Sequence, residues 1–202
     1  MKKILLTSIA AVMATFAANA SVAPYVSLHA GYDNYKFAFI AKDAKRVIES
    51  LQSEFAYDVS GAIGVKYDIT SSLGIRGEIE YDFTDARHVG EKTSIDMDWL
   101  RAHTVLANGY IDFKTAMGLN PYFSAGIGYR WNHHANGGVL PQRRGLAYQF
   151  GTGVSYDINK HVAVDFGYRY LTSFYDWEDS TGFKYILHDT SHQFRIGATY
   201  TF

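Results

Sequence analysis

Between Phe55 and Phe83 the chain changes polarity at nearly every residue. Phe55, Tyr57, Val59, Ile63, Val65 and Tyr67 share one parity; Ala56, Asp58, Ser60, Ala62, Gly64, Lys66 and Asp68 share the other. After a short break, Leu73, Ile75, Ile79, Tyr81 and Phe83 face away from Arg76, Glu78, Glu80 and Asp82. A period of two belongs to the β-strand, whose successive side chains point to opposite faces. The runs are longer than the roughly 5–6 residues usual in soluble sheets. Two architectures fit an apolar face backed by charges of both signs. A soluble sheet turns its apolar face inward and wets the charges. A membrane barrel turns its apolar face to lipid and encloses the charges in a lumen.

The same period predicts eight strands, at residues 24–32, 55–68, 73–83, 99–113, 121–132, 145–158 and 162–171, with the last ending at the C-terminus. In the fifth, Phe123, Ala125, Ile127, Tyr129 and Trp131 oppose Tyr122, Ser124, Gly126, Gly128 and Arg130. In the last, Phe194, Ile196, Ala198, Tyr200 and Phe202 oppose Gln193, Arg195, Gly197, Thr199 and Thr201. Connections 69–72, 114–120 and 159–161 are short, whereas 35–54, 84–98, 133–144 and 172–190 are long and polar. Such alternation, with an even strand count, is the plan of an outer-membrane barrel with short periplasmic turns and longer outer loops. Within the first long connection, Ala44, Val47, Ile48 and Leu51 recur at helical spacing and predict a short amphipathic helix over 41–51.

Aromatic residues collect at both strand ends. Tyr67, Phe113, Phe123, Tyr156, Tyr200 and Phe202 lie near the short turns, and Tyr32, Tyr81, Phe83, Trp99, Trp131 and Tyr170 near the long connections. Two belts of this kind suit the two interfaces of a bilayer. The polar parity carries Lys66, Arg76, Glu78, Glu80, Arg130, Asp165, Arg169 and Arg195. Enclosed together these charges can neutralise one another, whereas alone each would be costly to bury. The expected fold is therefore an all-β, eight-stranded antiparallel up-and-down transmembrane barrel.

The first twenty residues agree with that destination. Lys2 and Lys3 precede an apolar run from Ile4 to Phe16, and Ala18-Asn19-Ala20 offers a small-residue cleavage site. This is a secretory signal peptide, 1–20, too short for a spanning helix, and it leaves 21–202 as one barrel domain. Its removal leaves 17 of the 19 basic residues against 20 acidic ones, a balance near −3 that argues against nucleic acid. There is no cysteine, so strand pairing and burial must carry stability in an oxidising compartment. Sixteen tyrosines and eighteen glycines against three prolines suit long, tightly packed strands.

Asn108-Gly-Tyr-Ile-Asp-Phe113, Pro121-Tyr-Phe-Ser-Ala-Gly-Ile-Gly-Tyr-Arg130, and the stretch from Gly153 to Tyr170 resemble the opacity-type (Opa-like) porin family. The ending Phe194-Arg-Ile-Gly-Ala-Thr-Tyr-Thr-Phe202 is similar to the terminal strand of many outer-membrane proteins. The resemblance implies an eight-stranded outer-membrane barrel with surface loops, and in some members adhesion to host cells. It also implies that Tyr200 and Phe202 form the signal read by the barrel-assembly machinery.

Three functions compete for these residues. A closed barrel has no free edge and can hold loops for recognition by a host receptor or matrix. Arg143, Arg144, Tyr175 and Trp177 are the candidate loop contacts, and the arginine pair could instead meet lipopolysaccharide phosphates. A narrow channel is the alternative, but eight strands leave a lumen that side chains fill. A lipid-modifying enzyme would need a nucleophile and base together; Ser191 and His192 are adjacent in a strand and so face opposite ways. No catalytic residue, metal site or cofactor is expected; His133-His134 has no third ligand in view, and His29, His103 and His161 are isolated. The expectation is a monomeric, non-catalytic protein of the cell outer membrane, in contact with membrane lipid and lipopolysaccharide.

Overall fold

The computed structural model describes residues 22–41, 46–89, 97–134, 143–178 and 184–202. The expected leader, 1–20, lies outside them. The strands are β1 (Val22–Ala41), β2 (Arg46–Asp68), β3 (Leu73–Val89), β4 (Met97–Phe113), β5 (Leu119–His134), β6 (Arg143–Asp157), β7 (Val162–Glu178) and β8 (Lys184–Thr201). Each pairs antiparallel with its neighbour in sequence, and β8 closes on β1. Every strand is thus hydrogen-bonded on both sides, which removes the free edges that lipid cannot tolerate.

The ladder fixes the geometry. Followed once around the barrel, Val22 leads through Tyr67, Ile75, Ile111, Phe123, Thr152, Tyr168 and Phe194 back to β1 at Tyr32. The circuit climbs ten residues, from position 22 to 32. That stagger over eight strands tilts them by about 40° to the axis and leaves an interior just wide enough for side chains.

Parity divides the residues as the sequence predicts. Leu28, Ile63, Ile79, Phe123, Ile127, Phe150, Phe166 and Ile196 are all exposed on the outside. Glu78, Glu80, Asp82, Asn108, Arg130, Gln149, Arg169, Gln193 and Arg195 are buried inside. The apolar outer band lies between a lower belt with Tyr67, Phe113, Tyr156 and Tyr200 and an upper belt with Tyr32, Phe83, Tyr129 and Tyr170. By residue rise and tilt the belts stand about 20 Å apart, near the hydrophobic height of an outer-membrane barrel.

The upper ends depart from expectation. Most of 35–54, 84–98 and 172–190 is strand, and only 42–45, 90–96, 135–142 and 179–183 separate the strands there. The helix expected over 41–51 is instead the ladder of β2 on β1, with Ile40 opposite Val47 and Phe37 opposite Leu51; Ala44 lies outside the described residues. The physical reason is that pairing persists above the lipid, where the outer face no longer has to be apolar and alternation fades. β1 continues from Tyr32 to Ala41 and β4 from Val105 up to Met97. The barrel wall therefore rises about 20 Å beyond the upper belt.

Candidate functional site

The interior is a stack of charge clusters, each tied across several strands. At the lower mouth, Arg76 on β3 grips Asp112 on β4 with two parallel bonds of 2.8 Å. Its guanidinium lies 4.2 Å from the Tyr110 ring centre. Lys66 lines the same mouth with Asp68, Asp112 and Asp157.

Above it, Glu78 accepts from three neutral donors: Tyr25 Oη at 2.7 Å, Tyr110 Oη at 2.6 Å and Asn108 Nδ2 at 3.1 Å. Asp165 on β7 meets His29 Nε2 on β1 at 3.2 Å and Tyr122 Oη at 3.3 Å. Glycines provide the room. A methyl group at Gly153 or Gly167 would collide with the Tyr122 hydroxyl, and one at Gly197 with the His29 ring.

The central belt joins opposite walls. Arg169 on β7 donates to Glu80 at 2.8 Å, Asp82 at 2.6 Å and the Gln193 amide oxygen at 2.6 Å. Arg195 on β8 meets the other Glu80 oxygen at 2.7 Å, Asp58 at 3.0 Å and the Ser60 hydroxyl. Asn108 donates to Glu80 at 2.7 Å while accepting from Gln149 at 3.1 Å. Two guanidiniums thus share one carboxylate across the full width of the lumen.

The upper storey centres on Asp189 of β8. It accepts from Tyr35 at 3.1 Å, Tyr175 at 3.0 Å and Asn132 at 3.1 Å, and from the Ser173 hydroxyl. Arg130 stands 3.4 Å away with its guanidinium 5.5 Å from the Tyr35 ring centre. Leu106, Ala147 and Leu171 form a small apolar wall that starts beside Glu80 in the central belt.

All eight charges expected on the inner face are on it. Asp58, Asp82, Asp112 and Asp189 complete the network; extending the parity of Gln193 and Arg195 upward through Ser191 would have placed Asp189 there. His29, expected to be isolated, is paired with Asp165.

Of the candidate loop contacts, Tyr175 is corrected: it is only 3% exposed, inside the barrel on Asp189. The reason is again the upward extension of β7, whose odd residues face inward. Arg144 is exposed on the outer face of β6, one position above the Trp131 level. Arg143 and Trp177 lie on strands, but their side chains fall outside the described residues.

Chemically, this interior binds itself. Arg130, Glu80 and Arg169 are 0%, 1% and 4% exposed. The mid-lumen cavity beside His29, Tyr122 and Asp165 has about 20 Å³, room for a water or two. The arrangement ties opposite walls together across the lumen. Ser191 faces inward while His192 faces outward onto the Tyr168 hydroxyl, so the two do not form a nucleophile and base.

At the C-terminus, Tyr200 and Phe202 are exposed and pack edge to face at 5.3 Å. The Phe202 amide donates to the Pro24 carbonyl at 3.0 Å, tying the chain end to β1.

Known proteins share this plan. The Salmonella typhimurium outer membrane protein PagN is 24% identical over 172 residues, covering 70% of this chain and 72% of that protein. The Neisserial surface protein A, NspA, superposes with a TM-score of 0.59 at 19% identity, over 89% of this chain and 97% of its own. OprG, an outer membrane protein of Pseudomonas aeruginosa, gives 0.52 at 14% identity, over 90% and 96%. Residues 4–202 match the outer membrane protein beta-barrel domain, so the chain belongs to that family and resides in the outer membrane.

Proposed function

We propose that this barrel is a non-catalytic surface scaffold whose outer connections bind a host receptor or matrix. The observation that carries this reading is the contrast between a closed interior and a raised rim. A lumen crossed by Arg169, Arg195, Glu80 and Asp82 gives solutes no continuous path. A wall that continues beyond the upper belt, to Ala41 on β1 and Met97 on β4, carries the strand ends clear of the lipid. Irregular segments on a rigid support are where recognition resides in many folds. Tyr200 and Phe202, outward at the lower end, suit capture by the barrel-assembly machinery. The chain's nearer kinship within the family is with the opacity-type porins.

The test replaces the four connections with short Gly-Ser turns. Heat-modifiable migration on a gel verifies that the variant is folded, and adhesion to host cells and matrix is then compared. The proposal expects adhesion to fall to background while the barrel stays intact. Undiminished adhesion overturns it. Single-channel recording in planar bilayers addresses the competing channel reading, for which the proposal expects no steady conductance.

A further inference from the structure

The cavity at the lower, periplasmic mouth is larger than the one at mid-lumen, and its charges are only partly matched. It has about 60 Å³, room for about four to six waters. Lys66, Arg76 and Lys114 line it together with Asp68, Asp112 and Asp157. Two pairs are made: Arg76 holds Asp112 at 2.8 Å, and Lys114 lies 2.5 Å from Asp68. Lys66 and Asp157 remain. Neither has an ion-pair partner among the described residues, although Asp157 is the acid whose field bears most on Lys66. They stand on β2 and β6, opposite walls of the eight-stranded ring.

Local structure holds the two charges apart. Gly118, at a φ of 74°, turns the chain so that its carbonyl accepts from the Asp157 amide at 3.0 Å. Asn120, just beyond, accepts from the Thr115 amide at 3.0 Å and donates to the Asp157 carboxylate at 2.7 Å. The β4–β5 turn thus fixes Asp157 on its own wall. Lys66 is half-buried and lies directly opposite Arg76 in the β2–β3 ladder. Like charges in that position weaken a sheet unless an anion joins them, and Asp112 is already engaged by Arg76. Arg76 also lines the mid-lumen cavity, so its bridge to Asp112 stands between the two spaces. The lower one is a blind recess, with the Asp68 side chain 57% exposed at its edge.

We infer that this recess binds the zwitterionic head of an α-amino acid from the periplasm, with the carboxylate on Lys66 and the ammonium on Asp157. Charge selects this chemistry. The three bases and three acids sum to zero, so a lone anion or cation would leave net charge in a confined place. A group carrying both signs serves both unpaired residues and adds none. The head's nitrogen, carbons and carboxylate oxygens fit the room available. Ser155 and Thr199 also line the recess and supply neutral hydroxyls. Two sources offer such a head on this side of the membrane: a free amino acid, and the free end of a diamino acid in a cell-wall peptide.

The experiment uses the full barrel in lipid nanodiscs, where the lower mouth meets solution, with isotope labels on the lysine amines and aspartate carboxyls. The Lys66 and Asp157 signals are followed by NMR during titration with D-alanine and with the tripeptide L-alanyl-γ-D-glutamyl-meso-diaminopimelate. The inference expects both signals to move together and saturate. It expects binding to weaken about tenfold when the probe's α-ammonium is acetylated or its α-carboxylate amidated. The same loss is expected in Lys66→Met and in Asp157→Asn barrels that retain heat-modifiable migration. Tighter binding of the tripeptide assigns the head to the cell wall, and equal binding of D-alanine assigns it to free amino acids. No saturable shift with either probe overturns the inference without any variant. So does acetate binding as tightly as D-alanine, which would make the recess a plain anion site. Barrels with Gly-Ser connections should bind the probes unchanged, whatever their adhesion.

Discussion

The lower and upper halves of the same strands obey different rules. Below the upper belt, lipid presses on one side and the lumen on the other, and parity is strict: Ile75, Ile79 and Tyr81 out, Arg76, Glu78 and Glu80 in. Above it both sides of the wall can be polar, and the outer face turns to Arg87, Arg101, His103 and Arg144. The β3–β4 ladder runs through both halves, whereas the β1–β2 ladder continues upward with register shifts beyond Tyr32. Hydrogen bonding therefore sets how far the wall extends, while the surrounding medium sets the side-chain pattern on it. Inside, Arg76, Arg169 and Arg195 are paired with acids; outside, above the belt, basic groups outnumber their single described acid.

The largest expected effect comes from breaking the inner pairing. Arg169→Ala takes one donor from each of Glu80, Asp82 and Gln193 and should cost about 3–5 kcal/mol. Denaturant unfolding of barrels reconstituted in lipid vesicles measures it, and a loss below 1 kcal/mol would mean that the belt is not a brace. Next, Ile79→Arg places a charge against mid-band lipid and should cost about 2–4 kcal/mol. Tyr175→Phe removes one of the hydroxyls serving Asp189 and should cost about 1 kcal/mol. Smallest is Leu146→Arg, on the outer face near the upper boundary, at about 1 kcal/mol or less. Equal costs for Ile79→Arg and Leu146→Arg would erase the division between the halves.

That division also explains what could be read from the chain. The eight strands, the barrel closure and the eight inner charges follow from parity in the lower half, where lipid selects every second residue. The upper halves of β1 and β2 carry no such record. Over 46–54 the run Arg-Val-Ile-Glu-Ser-Leu-Gln-Ser-Glu has spacing closer to a helix than to a strand, yet it pairs with β1. Tyr175 illustrates the same gap: a tyrosine beyond the apolar band looks like a loop residue until β7 is known to continue through it. The acids that complete the network were on the polar parity all along, but which acid meets which arginine depends on the stagger. Asp82 and Arg169, 87 positions apart, meet only because the sheet curls round to face itself.

The seam between the last strand and the first has a consequence for biogenesis. Arg195, Gln193 and Asp189 all reside on β8, and their partners lie on β1, β2, β3, β5 and β7. Until that final ribbon docks, acids from across the molecule still require hydration, and the nascent cylinder must stay wet. Zipping the seam and drying the bore are consequently one event, so a half-shut form has no favourable resting place in the hydrocarbon.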